Sequence, residues 1–298
     1  MNRIAAICLL SGAALAGPAV ADVPAITRQF LEVDGTKLYT ETLGRGAPIL
    51  FLHGGLLFFD NNFIRQRDYF AAHHTVIGID QRGHGHSPDG PWPLSYQLMA
   101  DDTAAIIRKL KLGPVDVVGH SDGADIALLL ARDHPELVRR VVISGANLRG
   151  LPPAELERRR HWSAEQQAKK LQEVAAFLPP YFASDYAAVS PDGADHWMAM
   201  VAKCAALWNQ SIVIEPAELA KIVAPVLVMA GDHDFTSLEE TAEIFKGLPH
   251  GQLIVVPGTG HGTFQTRPDL VNLAIAEFLE GPDSDTHPGT AHLEALAD

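Results

Sequence analysis

A serine stands at the centre of the pentapeptide Gly-His-Ser-Asp-Gly at residues 119–123. The apolar run 115–118 before it is typical of a buried strand, and residues 124–132 after it are typical of a helix. A serine at a sharp turn between strand and helix is the arrangement of a nucleophile elbow, where glycines two residues to either side avoid side-chain collisions. This context predicts that Ser121 is a nucleophile.

A serine hydroxyl needs a base to take its proton and a third group to orient that base. Among the 14 histidines, His261 is the best candidate base, because its glycine-rich loop 257–262 follows the last strand-like run. The acid is expected after the preceding run, 226–229, where the loop reads Gly-Asp-His-Asp. Spacing alone leaves both Asp232 and Asp234 open as the acid.

Alternating strand-like and helix-like segments must position these groups. The first two runs flank Asp34-Gly35, a hairpin turn signal. The eight predicted strands are 30–33, 37–42, 48–52, 75–79, 115–118, 138–143, 226–229 and 252–256, and the main predicted helices are 95–110, 124–133, 238–245 and 268–279. The last six strand runs are almost continuously aliphatic, as expected where helices cover both faces of a sheet. The predicted fold class is α/β, with a mostly parallel, doubly wound, eight-stranded sheet.

The interval 147–216 shows no strand pattern, and we interpret it as a helical cap over the serine. Trp197, Val201, Cys204 and Trp208 recur there at helical spacing and form one apolar stripe. Ordinary packing of this stripe onto the main domain is the alternative to a role in substrate binding. The candidate pocket residues are Trp197, Trp208 and Phe182.

The first 21 residues predict a secretory signal peptide, with Arg3 before an apolar stretch and Ala19-Val20-Ala21 as a cleavage signal. A membrane anchor is the alternative, which the short stretch disfavours. The mature chain should begin near Asp22 and be exported, to the periplasm of a Gram-negative source or into the medium otherwise. The predicted organisation is then a core of 22–146 and 217–280, interrupted by the cap and followed by a flexible tail, 281–298.

Cleavage would remove Cys8 and leave Cys204 alone, so no internal disulfide is expected. It would also leave 22 basic and 36 acidic side chains, a net charge of −14. Such an acidic chain repels nucleic acid and anionic lipid, so we expect a small-molecule substrate and neither nucleic acid nor membrane as a partner. His84 and His86 lack further ligands at diagnostic spacing, so no metal site is predicted.

The motifs together resemble the α/β-hydrolase superfamily over residues 29–279. His53-Gly54-Gly55 follows the third strand, residues 80–87 (Asp-Gln-Arg-Gly-His-Gly-His-Ser) follow the fourth, and Ala224-Pro225-Val226 leads into the acid-bearing strand. The chain order of nucleophile, acid and histidine is also that of the family. In the family the acid lies three residues after the loop glycine, which favours Asp234 over Asp232. The resemblance implies the α/β-hydrolase fold, with a cap between the sixth and seventh strands.

The resemblance further implies an oxyanion hole made of two backbone amides, those of Gly55 and Asp122, with Gly54 as a substitute and His53 shaping the loop. It implies a carboxylesterase-like serine hydrolase that cleaves a small ester or lactone without metal or organic cofactor. The aromatic cap favours an apolar or aryl-bearing substrate. A carbon-carbon bond hydrolase, an amidase, a perhydrolase and a ligand receptor on a hydrolase scaffold are the alternatives. Dehalogenases and epoxide hydrolases normally place an aspartate where Ser121 stands.

Asp122 departs from the family pattern, because many relatives carry an apolar or amide side chain at this position. One interpretation is that the start of a helix stabilises its carboxylate. The other is that Asp122 pairs with a nearby cation such as Arg82 and fixes the turn.

Overall fold

A computed structural model describes residues 25–209 and 213–281 and has an eight-stranded sheet at its centre. The strands are β1 Thr27–Val33, β2 Thr36–Gly44, β3 Pro48–Leu52, β4 Thr75–Ile79, β5 Val115–His120, β6 Val138–Ser144, β7 Val226–Gly231 and β8 Gly251–Val256. Their order is β1-β2-β4-β3-β5-β6-β7-β8, and only the pairings made by β2 are antiparallel. The predicted mostly parallel, eight-stranded sheet is confirmed. Both ends of each predicted strand lie within three residues of the ends of the observed strand.

Helices cover both faces of this sheet. They are α1 Phe59–Phe70, α2 Tyr96–Lys109, α3 Asp122–Asp133, α4 Pro153–Arg160, α5 Ala164–Phe177, α6 Pro180–Val189, α7 Trp197–Trp208, α8 Leu238–Gly247, α9 Thr263–Thr266 and α10 Pro268–Glu280. Buried side chains of α2, α3 and α7 form one apolar core with the sheet, and those of α1 and α10 form another. No helix among the described residues is long and apolar enough to cross a membrane.

Helix α1 is an element that apolar periodicity did not predict. Two of its buried residues, Asn62 and Gln66, are polar. Gln66 donates to the carbonyl of Phe264 at 3.1 Å and to the side chain of Asn272 at 2.9 Å. Because polar residues interrupt this buried face and bond to distant segments, the sequence shows no continuous apolar stripe here.

The helices α4 to α7 occupy the interval predicted as a cap, and no strand interrupts them in the described part of 147–216. The predicted stripe lies on α7, where Val201 and Cys204 are buried and both tryptophans are partly buried. The predicted signal peptide with Cys8, and all of the predicted tail after Gly281, lie outside the described residues.

Candidate active site

Ser121 lies at the sharp turn between β5 and α3, with backbone angles φ 53° and ψ −121°. A Cβ atom on Gly123 would collide with the carbonyl oxygen of Leu52, and one on Gly119 would collide with that of Gly123. The Ser121 N–H donates to the carbonyl of Ser144, at the end of β6, at 2.8 Å. A positive φ at a non-glycine residue is strained, and here the close backbone approach on both sides maintains it.

His261 and Asp234 form a hydrogen-bonded pair after the last two strands. The His261 Nδ1–H donates to Asp234 Oδ1 at 2.9 Å, and the Thr236 amide donates to the same oxygen at 3.0 Å. Burial acts to raise the pKa of Asp234, but its hydrogen bond and charge interaction with His261 prevail and lower it. The Nε2 atom of His261 is buried and has no hydrogen-bond partner among the described residues. This nitrogen therefore makes no hydrogen bond with Ser121 Oγ, and its lone pair is free to accept a proton.

Asp232 has a different environment from Asp234. Its Oδ1 atom accepts the Thr259 amide at 3.0 Å and the His233 ring N–H at 2.8 Å. Hydrogen bonds from the Gly258 amide and His233 are the main causes that lower the pKa of Asp232 to about 2. Asp232 thus links two loops, whereas Asp234 contacts the histidine.

Two contacts place the His261 ring beside the serine turn. A Cβ atom on Gly145, the residue after Ser144, would lie 2.6 Å from His261 Cε1. The neighbouring residue His120 donates from Nε2 to the His261 carbonyl at 2.8 Å, and the two rings lie 5.1 Å apart. The histidine is therefore held between the residue preceding Ser121 and the strand end that binds the Ser121 amide.

A directed chain of hydrogen bonds connects this histidine to the loop after β3. The Gly54 amide donates to Asn62 Oδ1 at 2.8 Å, and Asn62 Nδ2 donates to His120 Nδ1 at 3.1 Å. Burial lowers the pKa of His120 to about 3, so its ring is neutral and carries its single proton on Nε2, facing His261. The contact between Asn62 and His120 was not predicted from the sequence, because nothing in their local patterns indicates that these residues meet.

The amides predicted for the oxyanion hole differ in their availability. The Gly54 N–H is occupied by Asn62. The amides of Gly55 and Asp122 have no acceptor among the described residues. His53 Nε2 accepts the Gln81 amide at 2.9 Å, which joins its loop to the one after β4. Free N–H groups next to a nucleophile can bind negative charge.

Comparison with known proteins now identifies the family. A family model described as the alpha/beta hydrolase fold matches residues 47–268, well over half of the chain. The chain belongs to the α/β-hydrolase family.

This α/β-hydrolase is similar to enzymes with several activities. The 2-(acetamidomethylene)succinate hydrolase of Mesorhizobium japonicum is 29% identical, over 84% of this chain and 94% of the relative. The non-heme haloperoxidase of Rhodococcus erythropolis is 28% identical, over 83% and 97%. The solved structure of Est816, described as an N-acyl homoserine lactone degrading enzyme, is 27% identical with a TM-score of 0.63, over 84% of this chain and 100% of that one.

Asp122 of this α/β-hydrolase is buried and faces the cap. Its Oδ1 accepts Tyr96 Oη–H and Trp208 Nε1–H, both at 2.9 Å, and its Oδ2 accepts the same indole N–H at 3.0 Å. Burial raises the pKa of Asp122, and the bonds from Trp208 and Tyr96 oppose that shift. The predicted pairing with Arg82 is wrong, because the Arg82 guanidinium forms a buried, two-pronged ion pair with Asp102, with Nη2 2.7 Å from Oδ1.

Of the three predicted pocket residues, Trp208 is the one whose contacts reach the serine turn. Trp197, at the other end of α7, packs its ring on Tyr186 at 5.5 Å, and Phe182 packs on Tyr181 at 5.0 Å. A pocket role for Trp197 and Phe182 stays a prediction.

The histidines considered as metal ligands have other partners. His84 Nδ1 donates to the Arg82 carbonyl at 2.8 Å, and burial lowers the pKa of His84 to about 4. The His86 ring bonds to Asp80 at 2.9 Å, which raises its pKa, and it stacks on Tyr39. Within 25–209 and 213–281, no three or more His, Cys, Asp or Glu side chains are grouped to hold a metal.

Asp125, one helical turn after the serine, is a buried carboxyl that should destabilise the fold at alkaline pH. Its Oδ1 accepts the Asn147 amide at 2.8 Å, whereas its Oδ2 has no partner among the described residues. Burial raises the pKa of Asp125 well above its usual value. A carboxyl with a higher pKa in the folded state loses stability as pH rises from its unfolded pKa of about 3.9 toward the folded one.

We therefore expect Asp125→Asn, which keeps one acceptor oxygen and has no charge, to raise the free energy of unfolding at pH 8 by about 1–3 kcal/mol. The gain should shrink toward pH 4, and urea unfolding at both pH values measures it. Asp269, exposed in the first turn of α10, gives the matched control. Asp269→Asn should lower stability by less than about 1 kcal/mol, because it removes a favourable charge from a helix start. Equal stability of Asp125→Asn and wild type at pH 8 would contradict the expectation.

Proposed function

We propose that this α/β-hydrolase is a serine hydrolase that cleaves a small carboxylic ester or lactone through an acyl-enzyme intermediate. The observation that carries the proposal is the buried Nε2 of His261, which has no partner within 25–209 and 213–281 and whose other ring nitrogen is fixed by Asp234. This base lies beside a strained turn that presents Ser121. A positioned base and its orienting carboxylate are what a serine needs to attack a carbonyl carbon.

In the first half-reaction, Ser121 Oγ attacks the carbonyl carbon while its proton passes to His261 Nε2. The carbonyl oxygen becomes negatively charged and accepts hydrogen bonds from the backbone N–H groups of Gly55 and Asp122. Asp234 keeps the proton on Nδ1 and stabilises the imidazolium that forms. His261 then gives its new proton to the leaving alkoxide, and the carbon-oxygen bond of the ester breaks.

In the second half-reaction, water takes the place of the leaving alcohol. His261 Nε2 removes a proton from this water, which attacks the acyl carbon, and the same amides hold the oxyanion. The proton returns to Ser121 Oγ as the acyl-oxygen bond breaks. With a lactone, the alcohol released in the first step stays attached to the acyl group, so the product is a single hydroxy acid.

The relatives support the choice of substrate class and define its competitors. Est816, which is described as degrading an N-acyl homoserine lactone, supports a lactone as substrate. The 2-(acetamidomethylene)succinate hydrolase and the non-heme haloperoxidase are about as similar to this chain and have other activities by name, so the alternatives stay open. One fold can carry all of these activities, so substrate comparison separates them.

The test combines a covalent probe with a substrate panel. A p-nitrophenyl alkylphosphonate should phosphonylate Ser121, and peptide mass spectrometry locates the adduct. Short-chain p-nitrophenyl esters and γ-butyrolactone should be hydrolysed faster than the matching anilides and carbon-carbon diketones. Labelling elsewhere, or binding of these compounds without turnover, would overturn the proposal and favour a receptor.

Gly145 offers a geometric test of the role of His261. It has φ +68°, and a Cβ atom there would lie 2.6 Å from His261 Cε1 and 2.8 Å from Nδ1. Gly145→Ala should displace the His261 ring from its present position and lower kcat/KM for p-nitrophenyl acetate at least about 100-fold. Gly35 has φ +74°, and a Cβ atom there would meet no other atom within 4 Å, so it is the control for backbone strain alone. Gly35→Ala should lose stability in thermal unfolding and keep its activity, whereas equal activities of the two variants would exclude the steric effect.

Export remains part of the proposal, since residues 1–21 have the charge and apolar pattern of a signal peptide. Expression in a Gram-negative host should yield a periplasmic protein whose N-terminus lies near Asp22. A cytoplasmic protein that begins at Met1 would refute this part.

A further inference from the structure

Helix α7 of the cap contacts the core at three successive turns. Met200 Sδ would lie 2.6 Å from a Cβ atom on Gly83, and Cys204 Sγ lies 3.4 Å from His84 Nε2. Trp208, four residues further along, donates its indole N–H to Asp122. Residues four apart lie on one helix face, so this face follows the core from the loop after β4 to the serine turn.

The indole of Trp208 is fixed in direction as well as in place. Its Nε1 atom lies 2.9 Å from Oδ1 of Asp122 and 3.0 Å from Oδ2, so its single N–H points at the carboxylate. Tyr96, on helix α2, donates its Oη–H to the same carboxylate. The carboxylate is buried, so water competes little for these bonds.

This indole fills the space beside the proposed oxyanion hole. A Cβ atom on Gly55 would lie 2.8 Å from Trp208 Cζ2 and would collide with the Asp122 carboxylate. Gly55 and Asp122 are the two residues whose amides are proposed to bind the substrate oxygen. The six-membered ring of the indole therefore lies against a residue whose amide is proposed to bind the carbonyl oxygen.

The position of the base decides which part of the substrate meets the indole. His261 must protonate the leaving oxygen, so the leaving group lies on the histidine side. Phe235, 70% exposed and with its ring centre 4.0 Å from that of His261, marks that side. Trp208 contacts Gly55 and Asp122 instead, and we infer that the acyl chain, which points away from the leaving group, runs past its ring.

We propose that Trp208, locked by Asp122, limits the length of the acyl group and makes the enzyme selective for short acyl chains such as acetyl. This inference rests on the proposed serine hydrolase function and names the substrate class within it. Trp208 acts as the wall of the acyl site, and Asp122 is a positioning residue that acts through it.

The test is the ratio of kcat/KM for p-nitrophenyl octanoate to that for p-nitrophenyl acetate. Trp208→Ala should raise this ratio at least about tenfold, because each methylene admitted to an apolar site is worth a factor of this order. Trp208→Phe keeps most of the bulk and should change the ratio less. Trp162→Ala, a tryptophan truncation elsewhere in the cap, should leave the ratio as in wild type.

Asp122 is tested by the same ratio. Asp122→Ala frees the indole and should raise the ratio, whereas Asp122→Asn keeps an acceptor oxygen for the Trp208 N–H and should restore it toward the wild-type value. A loss of stability alone would lower both rate constants together and leave the ratio unchanged. If Trp208→Ala fails to fold, Trp208→Leu replaces it.

The inference is overturned if the ratio stays at the wild-type value in Trp208→Ala, or if Trp162→Ala raises it as much. Phosphonate labelling of Ser121 in each variant separates this failure from that of the proposed function. Normal labelling with an unchanged ratio refutes the acyl wall only. Absence of labelling and of ester turnover in the wild-type protein refutes the serine mechanism itself.

Discussion

Ser121→Ala should lower kcat for p-nitrophenyl acetate by about six orders of magnitude, because loss of the nucleophile in a triad removes nearly all covalent catalysis. The fold should persist, since the Ser121 amide keeps its bond to the Ser144 carbonyl at 2.8 Å. The measurement is steady-state hydrolysis with thermal unfolding of the same preparation. Phosphonate labelling should disappear in parallel.

A serine variant elsewhere provides the control for this experiment. Ser95 caps the start of α2, where its side chain accepts the Leu98 amide at 3.1 Å. Ser95→Ala should cost about 1 kcal/mol of stability and keep wild-type turnover. If Ser121→Ala retained more than a trace of the wild-type rate after equal purification, another residue would be the nucleophile.

Asp234→Asn should lower kcat by about four orders of magnitude, because an amide in this position favours the wrong tautomer of the catalytic histidine. The side chain is fully buried and holds His261 at 2.9 Å, so solvent offers no replacement for the lost carboxylate. The pH dependence of kcat/KM for a short-chain ester, measured for both proteins, gives the loss across the whole pH range.

The neighbouring carboxylate supplies the matched control. Asp232→Asn keeps an oxygen for the Thr259 amide, so its kcat should stay within about tenfold of wild type. Its effect should appear in acid unfolding. Because the pKa of Asp232 is lowered to about 2 in the folded state, its stabilisation exists above the unfolded pKa and is lost as pH falls. Wild type should therefore lose more stability than Asp232→Asn between pH 4 and pH 2. Equal kcat losses in the two asparagine variants would remove the distinction between the carboxylates.

The sequence predicted the parallel strands well, because strands covered on both faces are continuous aliphatic runs that end where the chain turns. Strand β7 shows this, since all of its residues are buried and none has a polar side chain. Helix α1 could not be predicted in the same way, because Asn62 and Gln66 occupy its buried face and interrupt the apolar period. Its polar contacts form only when segments distant in sequence meet.

The site shows the same division. Ser121 and the histidine loop lie in local motifs whose turns and glycines can be recognised in the sequence. The bond between Trp208 and Asp122 joins residues 86 positions apart, and no local pattern encodes it. The predicted partner Arg82 was wrong because a sequence shows available cations but not that Asp102 is already paired with this one.

The buried thiol on helix α7 can report on motion of the cap. Cys204 is the free cysteine of the described residues and is fully buried, and burial raises its pKa well above the usual value. A maleimide or disulfide reagent can reach its sulfur only when α7 lifts from the core. The rate of thiol modification therefore depends on how often the helix that carries Trp208 moves away from the core. A substrate analogue that stabilises the closed position of this helix should lower that rate.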